Sequence, residues 1–379
     1  MKVLHITRNI PIKNLGGNRV IWDVMDNNKR FCREQKVIFP AEYIPKLPFQ
    51  PERYKVFSEL KGYTVERGYE VLFSNYIRIP GKHAFSFANI PINKNEVIEY
   101  SNGFDCIHAH YIMPDGHLAR ELCKIKKTPY IVSVRQGDLD RLEKIKKYTW
   151  LYNKYKKIVD DASAVIAINE KIHNYLKNEF GIVSILIPHG IDKRIIEKKD
   201  NSKSKKIRVI CAGQYINRKN IDWVIGLANK FLDNKRIQFT IVGSGPLKDK
   251  YVKKSSGAVE FLDWLPRDEL LKEFNKSDIF ILPSDNETFG MVYIEAAAKN
   301  CLIIGKKGTG LDGYFSSGED AYFIESEEEL YDVFRTKILD KECWKDIAHK
   351  GFLKVNENFV WEVVSEKYRD LYMRVCYKQ

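Results

Sequence analysis

A chain of 379 residues is long for one hydrophobic core and is expected to fold as two domains, each large enough to bury its own. Its 44% hydrophobic and 12% aromatic residues exclude a disordered chain, and seven cysteines scattered without a CxxC pair fit the reduced, buried thiols of a cytosolic protein. A net charge of +13 calls for an anionic partner, either nucleic acid, a membrane surface or phosphorylated small molecules; with no zinc-finger, helix-turn-helix or RRM-like signature, nucleic acid is the weakest of the three.

The N-terminal MKVLHIT enters a strand pattern directly, without the apolar region of a signal peptide, and no stretch approaches the roughly 18 uninterrupted apolar residues of a membrane span. Val3 to Thr7 reads as the first strand. A loop containing Gly16 and Gly17 follows, then a helix with Val20, Ile21, Val24 and Met25 at helical spacing. Two readings of the glycines stay open: close backbone approach to a phosphate at a helix start, or a plain turn capped by Asn18.

Residues 40 to 100 read as long loops, with prolines at 40, 45, 48, 51, 80 and 91 interleaved with aromatics (Tyr43, Phe49, Phe73, Tyr76, Phe85, Phe87) and cations (Arg53, Lys55, Arg67, Arg78, Lys82). Such a stretch suits an acceptor or a membrane surface, and most of its apolar residues equally suit a core. Alternation then resumes. Strands are expected at Phe104 to Ala109, Tyr130 to Arg135, Ala164 to Ile168 and Ser184 to Ile187, with helices at Pro114 to Lys124, Asp140 to Asp160 and Glu170 to Glu179. That is a parallel α/β domain. His108 and His110 share one strand face, yet no third ligand has convincing spacing, so no metal is expected. Arg135 and Asp138, in VRQGDLD at a strand end, are either ligand contacts or a structural ion pair.

KRIIEKKDNSKSKK, residues 193–206, has the composition of a linker. A second alternating series follows it. Strands are expected at Ile207 to Ala212, Ile237 to Val242, Val259 to Leu262 and Asp278 to Leu282, and helices at Ile221 to Phe231, Leu247 to Lys254 and Pro266 to Asn275. Arg218 and Lys219 precede a helix start, where two cations suit a diphosphate. VGSGPL is a tight strand-to-helix turn that lacks the full dinucleotide fingerprint. In DIFILPSDNETFGMVYIEAAAKN, a strand ending at Pro283, a polar turn and a small-residue helix place Glu287 at the strand's carboxyl end and Glu295 about two turns further on. Helices at 327–338, 340–354 and 359–376 close the chain.

With these residues in order, the sequence resembles the retaining glycosyltransferases of family 4 over nearly its whole length. The most specific match is Glu287, seven residues and Glu295 around a Phe-Gly pair; the Gly16-Gly17 loop, IPHGID, Lys219, VGSGP and GTGLDGYFSSGEDAYFI support it. The resemblance implies a GT-B fold: two Rossmann-like α/β parallel-sheet domains facing across a deep cleft, residues 1–192 binding the acceptor and 207–358 the nucleotide-sugar, with a last helix, 359–379, crossing back. It implies catalytic roles for Glu287, Lys219 and Arg218, with Glu287 on donor-sugar hydroxyls and Lys219 on the diphosphate. Donor contacts are expected from Gly16, Gly17, Arg135, Thr288, Phe289, Gly290, Met291 and, on the ribose, Glu295, while His110 and Asp138 lie on the acceptor side.

The chain departs from the family pattern at Gln214, where an arginine is usual and Arg218 is the available substitute, at Arg135 where a histidine is frequent, and at His189 where asparagine is common. The implied reaction is metal-independent transfer on one face of the sugar, to a glycan or lipid-linked acceptor. The nucleotide-sugar is a substrate, no cofactor is expected, and the location is cytoplasmic, peripheral at the inner face of an anionic membrane. A nucleotide-sugar epimerase of the same fold and a non-catalytic binding partner are the alternatives.

Overall fold

The computed structural model describes residues 1–12, 15–43, 52–76, 93–197, 206–339 and 344–377. The chain divides into two compact units, one of Met1–Ile168, Ile172–Ile187 and Ser365–Gln379, the other of Asn169–Lys171 and Pro188–Val364. The change at Pro188 lies a few residues before the Asp192 end read from the sequence. The final helix, Trp361–Cys376, starts among residues of the second unit and from Ser365 belongs to the first.

The first unit's sheet contains β1 (Lys2–Ile6), β2 (Glu34–Glu42), β3 (Tyr63–Glu66), β4 (Tyr69–Tyr76), β5 (Cys106–Ala109), β6 (Tyr130–Val134), β7 (Ala164–Ala167) and β8 (Ile185–Leu186), in the order β3-β4-β2-β1-β5-β6-β7-β8. Every pairing is parallel except β3 with β4. Strands such as CIHA and YIVSV are buried along their whole length, as a parallel sheet covered on both faces requires. From β1 the chain winds outward to β2 and later crosses to β5, so the strand order reverses between β1 and β5.

Two expectations are corrected in this unit. Much of the stretch read as loops is regular: β2 runs to Glu42, β3 and β4 form an antiparallel pair, and helices cover Glu52–Ser58 and Lys94–Tyr100. The prolines concealed this, because a proline argues against an inner strand; Pro40 nonetheless sits in β2 opposite Ser74. Pro45, Pro48, Phe49, Pro51, Arg78, Pro80, Lys82, Phe85, Phe87 and Pro91 lie outside the described residues, as do 198–205 of the expected linker and 340–343 of an expected helix. The helix expected over Asp140 to Asp160 is two helices, Gln136–Ile145 and Thr149–Asp160. Their buried stripes explain the break: Leu139, Leu142 and Ile145 keep one phase, whereas Leu151, Tyr155, Ile158 and Val159 start another that a single continuous helix could not bury on the same side.

The second unit's sheet is wholly parallel: β9 (Ile207–Ala212), β10 (Ile237–Val242), β11 (Val259–Leu262), β12 (Ile279–Leu282), β13 (Leu302–Lys306) and β14 (Tyr322–Ile324), in the order β11-β10-β9-β12-β13-β14. The order reverses between β9 and β12, and in open α/β sheets a ligand lies at the carboxyl ends beside such a reversal.

In the first unit the last helix is tied to the sheet by a buried polar contact. Tyr372 Oη is 2.8 Å from His108 Nδ1, and Ser133 Oγ is 2.8 Å from His108 Nε2. Burial holds this histidine well below its ordinary pKa, so it serves as a neutral hydrogen-bonding ring. Tyr372→Phe leaves one ring nitrogen unpaired in the core and is expected to lower the unfolding free energy by about 1–3 kcal/mol in urea melts; an unchanged midpoint would contradict the assignment.

Candidate functional site

The carboxyl ends of β9, β10 and β12 are built to approach one another. After β10, Gly243 and Gly245 adopt φ of +149° and +153°; a Cβ on Gly243 would lie 2.0 Å from the Gly213 carbonyl oxygen, and one on Gly245 2.8 Å from the backbone of Tyr215. The two glycines of VGSGP are therefore required by the packing of the β10 loop against the β9 loop, sealed by Tyr215 N–H donating to Ser244 O at 2.8 Å. A cavity of about 510 Å³ opens beside this contact. It is lined by Ala212, Gly213, Gln214, Arg218, Lys219, Val242, Gly243, Ser244, Gly245, Pro246, Trp264, Leu265, Leu270 and Val292.

The loop after β9 is stitched to the loop after β12. Asn220, in the left-handed conformation at φ +47°, donates its side-chain amide to Pro283 O at 2.9 Å and Asp285 Oδ2 at 3.1 Å. Asp285 N–H donates to Arg218 O at 2.7 Å. These bonds fix Lys219, a buried residue, so that its ammonium donates to Glu287 Oε2 at 2.5 Å, where Ser284 Oγ also donates at 3.2 Å. The guanidinium of Arg218 is solvent-exposed and has no ion-pair partner among the described residues.

Glu287 is held from behind as well, its carbonyl accepting from Gly310 N–H at 2.9 Å. Gly290 turns the chain at φ +74°, where a Cβ would fall 2.4 Å from the Tyr293 ring, and the helix Met291–Ala297 starts there. Phe289 has its ring in the core, 5.2 Å edge-on from His189 and 5.9 Å from Phe359, which leaves only its backbone for a ligand. The Thr288 carbonyl accepts from Asn169 Nδ2. Glu295 is 7% exposed and accepts from Arg267 Nε at 2.7 Å. Burial raises its pKa and the Arg267 charge opposes the rise. Sequence reasoning missed Arg267, Asn220, Ser284, Asn169 and Trp264. Arg267 follows Pro266 at a helix start, but nothing in that spacing shows that it meets a residue 28 positions later.

In the first unit Arg135 is buried, donates through Nε to His110 O at 3.1 Å, and lies with its guanidinium carbon 5.4 Å from the Tyr111 ring centroid. Asp138 accepts from the backbone N–H of Arg135 at 3.0 Å and of Ile112 at 3.1 Å. Burial lifts its pKa to about 7 against those two bonds. Each of its oxygens thus accepts one backbone N–H, which ties the strand-end loops together. Gly17 packs where a Cβ would meet Ile10 backbone at 2.2 Å, whereas Gly16 has open space; Asn18 Oδ1 accepts from Val20 N–H at 3.0 Å. The capped-turn reading of that loop is thus present, and Lys13 and Asn14 lie outside the described residues.

The expectation that His108 and His110 have no third ligand within reach is corrected: His5 brings a ring nitrogen within 4.8 Å of theirs. The β1–β5 register sets His5 opposite His108, and the three rings are all buried. Both nitrogens of His5 (to His110 and Gln35), both of His108 and Nε2 of His110 are in hydrogen bonds, so the trio is a polar brace in the sheet. His110 belongs to this brace, inside the core.

Two sequence models of known families match the chain: "Glycosyl transferases group 1" over residues 192–351 and "Glycosyltransferase Family 4" over residues 43–194. An uncharacterised glycosyltransferase of Methanocaldococcus jannaschii is 26% identical over 277 residues, 72% of this chain and 75% of its own length. The putative teichuronic acid biosynthesis glycosyltransferase TuaC of Bacillus subtilis is 23% identical over 379 residues, 95% of each chain. Among solved structures, Anabaena HepE in complex with UDP superposes with a TM-score of 0.71 at 15% identity, covering 98% of this chain and 99% of that one, and shares its two-domain GT-B fold.

The Arg267–Glu295 contact has a pH signature. A carboxyl whose folded pKa is raised holds its proton more tightly folded than unfolded, so its contribution turns against the fold as pH rises through and above the ordinary carboxylate range. Arg267→Ala removes the opposing charge and extends that loss. The variant is expected to lose more stability, relative to the parent, at about pH 7 than at about pH 4 in thermal melts; an equal loss at both would show that Arg267 does not act on the charge of Glu295.

Proposed function

The chain belongs to the glycosyltransferases of group 1 and family 4, and from that premise we propose that it moves a sugar from a nucleoside-diphosphate donor to a glycan or lipid-linked acceptor with retention of anomeric configuration. The observation that carries this reading is the 2.5 Å contact of Lys219 with Glu287 at the rim of a cavity also lined by Arg218 and the glycine loop. One cation beside one carboxylate is what a charged donor needs: positive charge for the diphosphate and an acceptor oxygen for sugar hydroxyls. The complexes of HepE with UDP and with UDP-glucose support a nucleotide-sugar donor here. TuaC's named role in teichuronic acid synthesis supports a polysaccharide as the product.

In the proposed reaction the nucleotide occupies the cavity, Glu295 accepts from the ribose hydroxyls, and backbone amides from Thr288 to Met291 meet the sugar and phosphates. The bond from the anomeric carbon to the diphosphate oxygen breaks, the acceptor oxygen attacks the same face, and its proton passes to the departing phosphate. Lys219 and Arg218 neutralise the charge that grows on that phosphate, the work a metal ion performs elsewhere, so the transfer needs none. Gln214 adds no charge at the rim, which makes Arg218 the second cation. In the first unit, Gly16, Gly17 and Arg135 are the groups proposed to meet anionic substrate. Among the described residues no helix is long and apolar enough to cross a membrane; the enzyme is proposed to work in the cytoplasm, at the membrane's inner face.

A panel of nucleotide-sugars assayed with and without glycan acceptors tests this. Transfer predicts nucleotide release that depends on acceptor and a product of the donor's anomeric configuration. Isomerised donor without acceptor would replace the reading with an epimerase, and binding without turnover with a non-catalytic partner. Lys219→Ala is expected to lower kcat about a hundredfold or more. Glu295→Ala should mainly raise the donor KM, and Glu287→Ala mainly lower kcat; full activity in all three would overturn the assignment.

A further inference from the structure

A polar assembly distinct from the histidine brace stands at the carboxyl ends of β1, β2 and β4. Glu42 closes β2 and Tyr76 closes β4, and the parallel register sets the two opposite each other, so both side chains rise from one face of the sheet. Arg8, two residues past β1, reaches across to them. Its Nη1 donates to Tyr76 Oη at 2.7 Å and its Nη2 to Glu42 Oε1 at 3.0 Å. Glu42 and Tyr76 are buried, while the Arg8 side chain keeps 35% of its surface exposed.

A guanidinium presents its N–H donors as a rigid planar fork, and two buried partners fix the plane of this one while further donors stay in reach of solvent. The charge around it favours an anion. Arg135 belongs to the same row of strand ends, and the fully buried Asp115 is acted on by both guanidiniums. Burial nonetheless holds Asp115 well above the ordinary carboxylate range and lifts Asp138 to about 7. At neutral pH Asp115 therefore keeps its proton and Asp138 is only partly ionised, so the two offset the arginines incompletely.

We propose that Arg8, held by Glu42 and Tyr76, recognises an anionic group on the acceptor, either the carboxylate of an acidic sugar or the phosphate of a lipid-linked glycan. The inference rests on the transferase reading, which gives the first unit to the acceptor, and narrows that acceptor to a charged one. The guanidinium fork meets two oxygens of either group at once. Glu42 positions Arg8 and competes with the ligand for it. The donor's diphosphate is the other anion of the reaction, and Arg218 and Lys219 of the second unit are there to take it.

Calorimetric titration of the full chain tests it with two charged probes, a glucuronate-terminated oligosaccharide and a short-chain prenyl phosphate, each against its uncharged counterpart, the methyl ester and the free prenol. One charged probe is expected to bind about tenfold or more tighter than its counterpart, which identifies the group as carboxylate or phosphate. Arg8→Gln is expected to abolish the preference, and Arg8→Lys, which keeps the charge without the fork, to reduce it several-fold. Glu42→Gln removes the competitor and is expected to bind the charged probe more tightly, a gain that a merely structural role would not produce. Thermal melts check that each variant folds, and nucleoside diphosphate binding, which reports the second unit, is expected to stay at the parent's value in all three. Equal binding of both charged probes and their counterparts, a preference kept by Arg8→Gln, or a loss of nucleoside diphosphate binding in its place would each overturn the proposal. A preference lost with Arg8 in a protein that turns over no nucleotide-sugar would support the anion site and overturn the transferase reading instead.

Discussion

The ammonium of Lys219 and the carboxylate of Glu287 meet at 2.5 Å where the ends of β9 and β12 converge, each side chain largely withdrawn from solvent. Leaving one such charge alone in a buried site costs about 3 kcal/mol or more, so the two loops are held to a geometry in which the charges stay together. The rest of the local architecture serves that demand. Asn220 and the Asp285–Arg218 backbone bond align the loops from one side, Gly310 and Ser284 from the other, and the glycines of the β10 loop allow the third strand end to close in. A charge pair assembled in advance is well suited to a charged ligand. It can exchange one internal partner for a diphosphate without reorganising the backbone.

Much of this was readable from residue order. The alternation of apolar runs with amphipathic helices gave the strands of the second sheet up to β12, and the strand-turn-helix pattern around Glu287 placed that residue at a carboxyl end. Residue chemistry in one loop also pointed to Lys219. The part that stayed hidden is nonlocal. Glu295 lies on the helix Met291–Ala297, and nothing in that stretch names its partner Arg267, which comes from the helix before β12. His5 joins His108 and His110 through strand pairing over more than a hundred residues. No periodicity within a window can report such contacts.

Prolines and charge misled in opposite ways. Prolines made β2 to β4 look like loops, although tertiary pairing overrides local preference and seats Pro40 inside a strand. The run of lysines around residue 147 looked like part of one long helix, and the phase of the buried residues shows a corner instead. In both cases the stronger determinant was what the side chains bury against, which a chain reveals only when folded. Asp138 shows the same limit: its position at a strand end was legible, while the two backbone amides it accepts from, those of Arg135 and Ile112, were not.

The central claim is that Lys219 is held by Glu287 until a diphosphate takes it over. Calorimetric titration of a nucleoside diphosphate into the parent protein and into Glu287→Gln measures this most directly. The account predicts equal or tighter diphosphate binding by Glu287→Gln, because Lys219 no longer leaves a carboxylate to reach the ligand, together with slower sugar transfer. Weaker diphosphate binding by Glu287→Gln, in a protein that melts like the parent, would contradict it.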